Sequence, residues 1–217
     1  MQHQPIKAEL LKAVEKVLEH GKFILGAEVI ELENKFAEYC GARYAIGVDN
    51  GTSALCLAMQ ALGIGIDDEV ITVPNPFLAS ASSIALVGAK PVFVDVGEDL
   101  NMDAAKLESA ITPQTKAILP VHLTGRPANM APIQEIAQRH GIDIIEDCAQ
   151  AVGARYHDKH VGTFGIIGCF SLHPMKTLNA IGDGGMIITN DEAVARFLRK
   201  ARNHGFADRD HCEFWSH

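Results

Sequence analysis

The chain has 217 residues and a net charge of -8 with no cluster of Lys and Arg, which argues against a nucleic-acid surface, since neutralising phosphates needs such a cluster. Its 47% apolar and 21% charged residues are ordinary globular usage, and the length allows a buried core without a disulfide or structural metal. No apolar run is long enough to span a membrane, and the opening Met-Gln-His-Gln-Pro lacks the apolar core of a signal peptide, so a cytoplasmic protein handling a small molecule is expected.

Residues 7–20 read as an amphipathic helix with Leu10, Leu11, Val14, Val17 and Leu18 on one stripe. A second helix runs from about Glu28 to Tyr39, with Val29, Leu32 and Phe36 inward, and Gly41 ends it. A strand-then-helix rhythm follows. Strand Tyr44–Val48 leads to helix Ser53–Leu62, and strand Glu69–Val73 to helix Phe77–Val87. Strand Pro91–Val94 precedes a short helix near Asp103–Ala110, and strand Thr115–Pro120 precedes helix Met130–His140. Strand Asp143–Glu146 comes next. These short apolar runs without alternation suit strands covered on both faces. The alternation predicts a three-layer α/β domain with a mostly parallel sheet. Two closely spaced strands, about Ile166–Ser171 and Gly185–Thr189, have no helix between them and predict an antiparallel or mixed part of that sheet. Helix Asp191–Asn203 follows, and the polar stretch from Ala207 to His217 shows no closing element.

The five cysteines form no C-x-x-C pair and sit among apolar or small residues, so buried thiols in a reducing compartment are expected. His157 and His160 have helical-turn spacing but no Cys or carboxylate partner to match, and read as a polar turn rather than a metal site.

Lys176 is the only formally charged side chain between Gly162 and Gly182. Desolvation among Gly and apolar neighbours favours the neutral amine, a nucleophile toward carbonyls; the blander reading is a lysine that reaches solvent. Ligands of open α/β sheets sit at the carboxyl ends of parallel strands, and four features fall there. Asn50-Gly51-Thr52-Ser53 offers free N–H groups, hydroxyls and a close-approach glycine, a phosphate cup or an ordinary helix cap. Asp147 closes a buried strand and needs a cation or several donors there, or serves as a cap or ion pair. Phe77 follows another strand and can stack on a flat ligand or pack in the core. Ser171 lies five residues before Lys176 and can reach the same anion as Thr52 and Ser53. Together they supply what pyridoxal phosphate demands: a lysine, an acid for the pyridine nitrogen, a stacking surface and a phosphate cup. A Rossmann dinucleotide site is excluded, because no G-x-G-x-x-G follows a strand.

Several segments resemble nucleotide-sugar aminotransferases of the DegT/StrS type. They are Gly21-Lys-Phe-Ile-Leu-Gly26, Phe36-Ala-Glu-Tyr-Cys-Gly41, Asn50-Gly-Thr-Ser-Ala-Leu55, Gly88-Ala-Lys-Pro-Val-Phe-Val-Asp95, Glu146-Asp-Cys-Ala-Gln-Ala-Val-Gly-Ala154, Ser171-Leu-His-Pro-Met-Lys176 and Ile181-Gly-Asp-Gly-Gly185. The resemblance implies the large α/β/α domain of a fold type I pyridoxal-phosphate-dependent transferase. It also implies that Lys176 is the Schiff-base lysine and proton carrier, that Asp147 partners the pyridinium nitrogen, and that Gln150 contacts the ring hydroxyl. Phe77 would be the stacking aromatic, with Gly51, Thr52, Ser53 and Ser171 as phosphate ligands and no metal. The implied reaction moves an amino group, from glutamate, to a keto group of a nucleotide-linked sugar.

The sequence departs from the pattern at Val152, where many relatives carry His, and in Pro74-Asn-Pro-Phe77, one residue shorter than the commoner version. Leu178-Asn-Ala-Ile-Gly-Asp-Gly-Gly185 resembles enzymes of 3-keto more than of 4-keto sugars. The resemblance further implies a homodimer with a shared active site. It divides the chain into an N-terminal helical segment over 1–25, a cofactor-binding large domain over 26–206, and a tail over 207–217 leading to a small domain that this chain lacks. Two other readings stay open: a non-catalytic or regulatory fragment that binds the cofactor, and a sugar dehydratase of the same fold, which the intact Lys176 disfavours.

Overall fold

A computed structural model describes residues 3–208 and 210–214 of the chain. Helix α1 (Lys7–His20) and helix α2 (Ala27–Cys40) lead into β1 (Tyr44–Val48), α3 (Gly51–Ala61), β2 (Glu69–Thr72), α4 (Ala79–Leu86) and β3 (Lys90–Phe93). After the short α5 (Ala104–Leu107) come β4 (Thr115–Ile118), α6 (Met130–His140) and β5 (Asp143–Asp147). A small hairpin, β6 (Arg155–Tyr156) and β7 (Lys159–His160), precedes β8 (Ile167–Ser171), β9 (Gly185–Thr189) and α7 (Glu192–Ala201). The strand–helix rhythm of the sequence is borne out element by element, with no boundary shifted by more than three residues.

Seven strands form one sheet in the order β1-β9-β8-β5-β4-β2-β3. The pairings from β8 through β3 are parallel, whereas β9 is antiparallel to both β8 and β1. Six strands therefore point one way, and their carboxyl ends share one edge of the sheet. Successive residues of β1, β8 and β9 feed two different cores. Ile46, Cys169 and Ile187 join one, while Ala45, Phe170, Met186 and Ile188 join the other. That division explains why these strands read as unbroken apolar runs. Phe170 is fully buried, with Phe36 edge-on at 5.1 Å, which contributes about 1.5–3 kcal/mol through burial.

The structure corrects four expectations. The α1 stripe is not buried: no residue of α1 is, and Leu11, Val14 and Leu18 are exposed. In α2 Leu32 faces outward and Glu33 inward, because the Glu33 carboxylate accepts the Gly47 N–H at 2.8 Å and pairs with Arg202. Lys176 is half-buried rather than sunk among apolar groups, since its neighbours Met175 and Ile181 are exposed. His157 does lie in a polar turn, with positive φ at His157 and Asp158 as two-residue hairpins require. His160, however, is buried, and its Nε2 accepts the Gly153 N–H at 2.9 Å. Of the polar tail, Arg209 and Trp215–His217 lie outside the described residues. Among the described residues no helix is long and apolar enough to cross a membrane.

Candidate active site

The carboxyl edge of the sheet opens into a cavity of about 800 Å³, within the range of about 300–1,000 Å³ common for small-molecule sites. Its lining includes Gly51, Thr52, Phe77, Asp147, Gln150, Ser171 and Lys176, so all but one of the residues picked from sequence converge here. The exception is Ser53. Its N–H donates to the Asn50 side chain at 2.8 Å, the N-cap of α3, and Ser53 does not line the cavity. Both readings of this segment therefore hold in part: Asn50 caps α3 and takes the Ser53 amide, while the Gly51 and Thr52 end of the helix lines the cavity.

The start of α3 is set by close packing. A Cβ on Gly51 would lie 2.8 Å from the Ser171 Cβ, and one on Gly185 would lie 2.4 Å from the Asn50 carbonyl oxygen. Two glycines thus let the amino end of α3 press against the end of β8 and the start of β9. Among the described residues, no hydrogen bond engages the N–H groups of Gly51 and Thr52. They point along the helix axis beside the Ser171 hydroxyl, an arrangement that favours an anion.

Asp147 ends β5 on the cavity floor and is 5% exposed. Its backbone is held from both sides, its N–H donating to the Pro120 carbonyl at 2.9 Å and its carbonyl accepting the His122 N–H at 3.0 Å. Its side chain accepts the Ser80 hydroxyl at 2.7 Å on Oδ2 and the Ala149 N–H at 3.0 Å on Oδ1. An ionised carboxylate has about four acceptor sites, so capacity is left on the cavity side. Gln150 is fixed as well: its Oε1 accepts the Thr124 N–H at 2.8 Å, which turns the two amide hydrogens of Gln150 the other way. Thr124 holds a left-handed conformation, φ 54°.

Lys176 belongs to the connection between β8 and β9. Leu172 closes that loop at its base, its N–H donating to Gly184 and its carbonyl accepting from Ala180. Phe77 is 71% exposed on the rim, and its loop is tied down by the Asn75 side-chain amide, which donates to the Leu100 carbonyl at 2.9 Å. Ser80, Thr124, His173 and Asp183 also line the cavity and were not picked out, and Asn50 lines it too, named from sequence only as part of its segment. Ser80 sits in a run of small residues, where only the position of the helix start in space shows that its hydroxyl faces a carboxylate.

His122, Glu146 and Cys148 bring potential ligand atoms within 4.8 Å of one another behind the floor, but those of His122 and Glu146 are already engaged. Glu146 accepts the N–H groups of Gly162, Phe164 and Gly165, each at 2.7 Å, and lies 3.0 Å from His122 Nε2. Since His122 Nδ1 accepts the Ala128 N–H at 3.0 Å, Nε2 carries the proton and donates. Burial and the neighbouring carboxylates push the Cys148 thiol well above its ordinary range, the wrong direction for a metal-binding thiolate. The cluster is a structural bracket.

In comparison with known proteins, the chain is 50% identical over 202 residues to a UDP-N-acetyl-3-dehydro-alpha-D-glucosamine 3-aminotransferase of Acidithiobacillus ferrooxidans, covering 93% of this chain and 55% of that protein. It is 48% identical over 205 residues to a pleiotropic regulatory protein of Geobacillus stearothermophilus, covering 94% of this chain and 55% of that one. The chain thus spans about 55% of the length of these curated relatives. Among solved structures, DesV of S. venezuelae, crystallised in complex with a ketimine intermediate, superposes with a TM-score of 0.97 at 42% identity, covering 99% of this chain and 58% of that one. Residues 4–217 match the description of one family along nearly their whole length, and on that match the chain belongs to the DegT/DnrJ/EryC1/StrS aminotransferase family.

Proposed function

We propose that this chain carries the pyridoxal-phosphate site of an aminotransferase that moves an amino group, from glutamate, to a keto group of a nucleotide-linked sugar. The observation that carries the reading is the convergence of Lys176, Asp147 and Gln150 with the free amino end of α3 in one cavity. The residues fit the cofactor. The N–H groups of Gly51 and Thr52 and the Ser171 hydroxyl would hold the phosphate, in a cradle that a side chain at position 51 would fill. Asp147 would face the ring nitrogen with its unused acceptor capacity, Gln150 would present its amide hydrogens to the ring hydroxyl, and Phe77 would cover one ring face. Bound there, pyridoxal phosphate supplies a carbonyl for amines and a ring that takes up electrons.

The chain's own part in the chemistry follows from these placements. The Lys176 amine would attach the cofactor and, once displaced by the incoming amine, would carry a proton between the amino-bearing carbon and the cofactor's aldehyde carbon. Asp147 would keep the ring nitrogen protonated by offering it a buried negative partner, and the loop bearing Phe77 would cover the floor. The 3-keto preference draws support from the A. ferrooxidans relative, whose name specifies a 3-dehydro sugar and 3-amino transfer. The ketimine in the S. venezuelae structure is a carbon–nitrogen double bond of the kind amino transfer requires.

We further infer a homodimer, because Phe77 and Met175 on the cavity lining, and Leu78 and Ile181 in the same two loops, expose apolar side chains that call for cover. Five free cysteines suit a reducing cytoplasm. The regulatory reading is favoured by the name of the G. stearothermophilus relative, but an intact Lys176 in a formed cavity supports turnover. The test mixes the chain with pyridoxal phosphate, reduces with borohydride and locates the label by peptide mass. Label on Lys176, lost in Lys176→Ala, is expected; label elsewhere on a folded chain refutes the site.

A further inference from the structure

We propose that Ser80 is a positioning residue for Asp147, fixing the orientation of that carboxylate toward the cavity; the inference rests on the cofactor reading above. Ser80 is 1% exposed near the start of α4, and its hydroxyl lies 2.7 Å from Asp147 Oδ2. That is the shorter of the two hydrogen bonds on the carboxylate. The surrounding run Ala79-Ser-Ala-Ser-Ser83 would pack equally well with alanine at position 80, and a buried hydroxyl costs free energy unless it meets a partner. Asp147 is that partner: no other hydrogen bond of the Ser80 hydroxyl occurs among the described residues.

The same turn serves two ends of the site. The Ser80 N–H donates to the Phe77 carbonyl at 3.2 Å, so the segment that places the rim aromatic also delivers the donor to the floor. With Ser80 removed, Asp147 keeps one fixed donor, the Ala149 N–H, and is free to turn about it. The titratable groups packed around it are Glu146 and Cys148 on its own segment, Cys169 on β8 and His122 after β4. Lys176 stands across the cavity, with His173 and Asp183 further along the lining. None of these comes from α4, so a change at position 80 leaves every other charge in place.

The experiment titrates the full chain with pyridoxal phosphate at one fixed pH, read as visible absorbance and as borohydride-trapped label on Lys176. Ser80→Ala should weaken capture about tenfold, the effect of losing about one hydrogen bond to a charged group, because the carboxylate is no longer held where the ring nitrogen would meet it. Ser80→Thr keeps the hydroxyl and should follow the wild type, while Ser80→Cys, a weak donor of similar size, should fall between. Thermal melting identifies which variants are folded, and Ser80→Cys decides if Ser80→Ala is not. An unchanged affinity in a folded Ala or Cys variant overturns the inference and leaves the cofactor reading standing. A wild-type chain that takes no label sinks both.

Discussion

Glu146 and Asp147 are adjacent on β5, yet the regions on either side of the strand use them in opposite ways. Behind the sheet, Glu146 is fully buried and receives four donors, three backbone N–H groups and His122. In front, Asp147 is 5% exposed and receives two. A carboxylate with every acceptor site filled is structural, because it binds chain segments together and has nothing left to offer. A buried carboxylate with unfilled sites facing a cavity bears an unmet electrostatic demand, which a cationic ligand group would answer. Counting donors separates the two where burial alone does not.

Substitutions on the two faces should part company, and the widest gap is expected in front. Asp147→Asn should slow amino transfer by several orders of magnitude, measured as a single half-reaction, while thermal unfolding shifts little. Wild-type transfer in this variant would make Asp147 a second structural acid and erase the contrast. Glu146→Gln should do the reverse. It brings amide hydrogens into a spot where four donors already converge, and should cost about 3 kcal/mol of stability in a urea titration. The fraction that stays folded should still take the label on Lys176.

The smallest expected effect sharpens the rear region. Burial pushes the His160 imidazole below its ordinary value of 6.5, so the folded chain keeps it neutral where the unfolded chain takes a proton. Its contribution is fully present above about pH 6.5 and is lost as pH falls from there toward the lowered folded value. Urea midpoints at neutral and mildly acidic pH should therefore diverge, and His160→Gln should narrow the difference.

Much of this architecture was legible in the chain. β1, β9, α1 and α6 fall where their residues place them, because apolar runs bounded by Gly, Asn and polar clusters leave little choice. The β8–β9 pair was also readable, since no helix fits between Ser171 and Gly185. Lys176, Asp147 and Phe77 could be named because each lies at or after a strand end, whereas Gln150 was named only through the family resemblance. What escaped was whatever depends on a partner distant in sequence. Glu33 turns inward, and Leu32 outward, only because Gly47 and Arg202 are waiting. Ser80 matters only because α4 starts beside the end of β5. The Ser53 amide is taken up because Asn50 reaches it first. Periodicity reports which face of an element is apolar; it is silent about which polar atoms meet.

The antiparallel strand β9 has a consequence for the order in which the molecule comes together. The bracket around Glu146 joins segments close along the chain, from His122 to Gly165, whereas β1 pairs with β9 through Tyr44 and Thr189. Loop-closure entropy weighs most on that last pairing. It is also the pairing that seats Asn50 and Gly51 against Gly185 and Ser171. The anion cup thus exists only in chains that have closed the far edge of the sheet, and anything bound there adds its binding free energy to the contact that forms with the greatest entropic handicap.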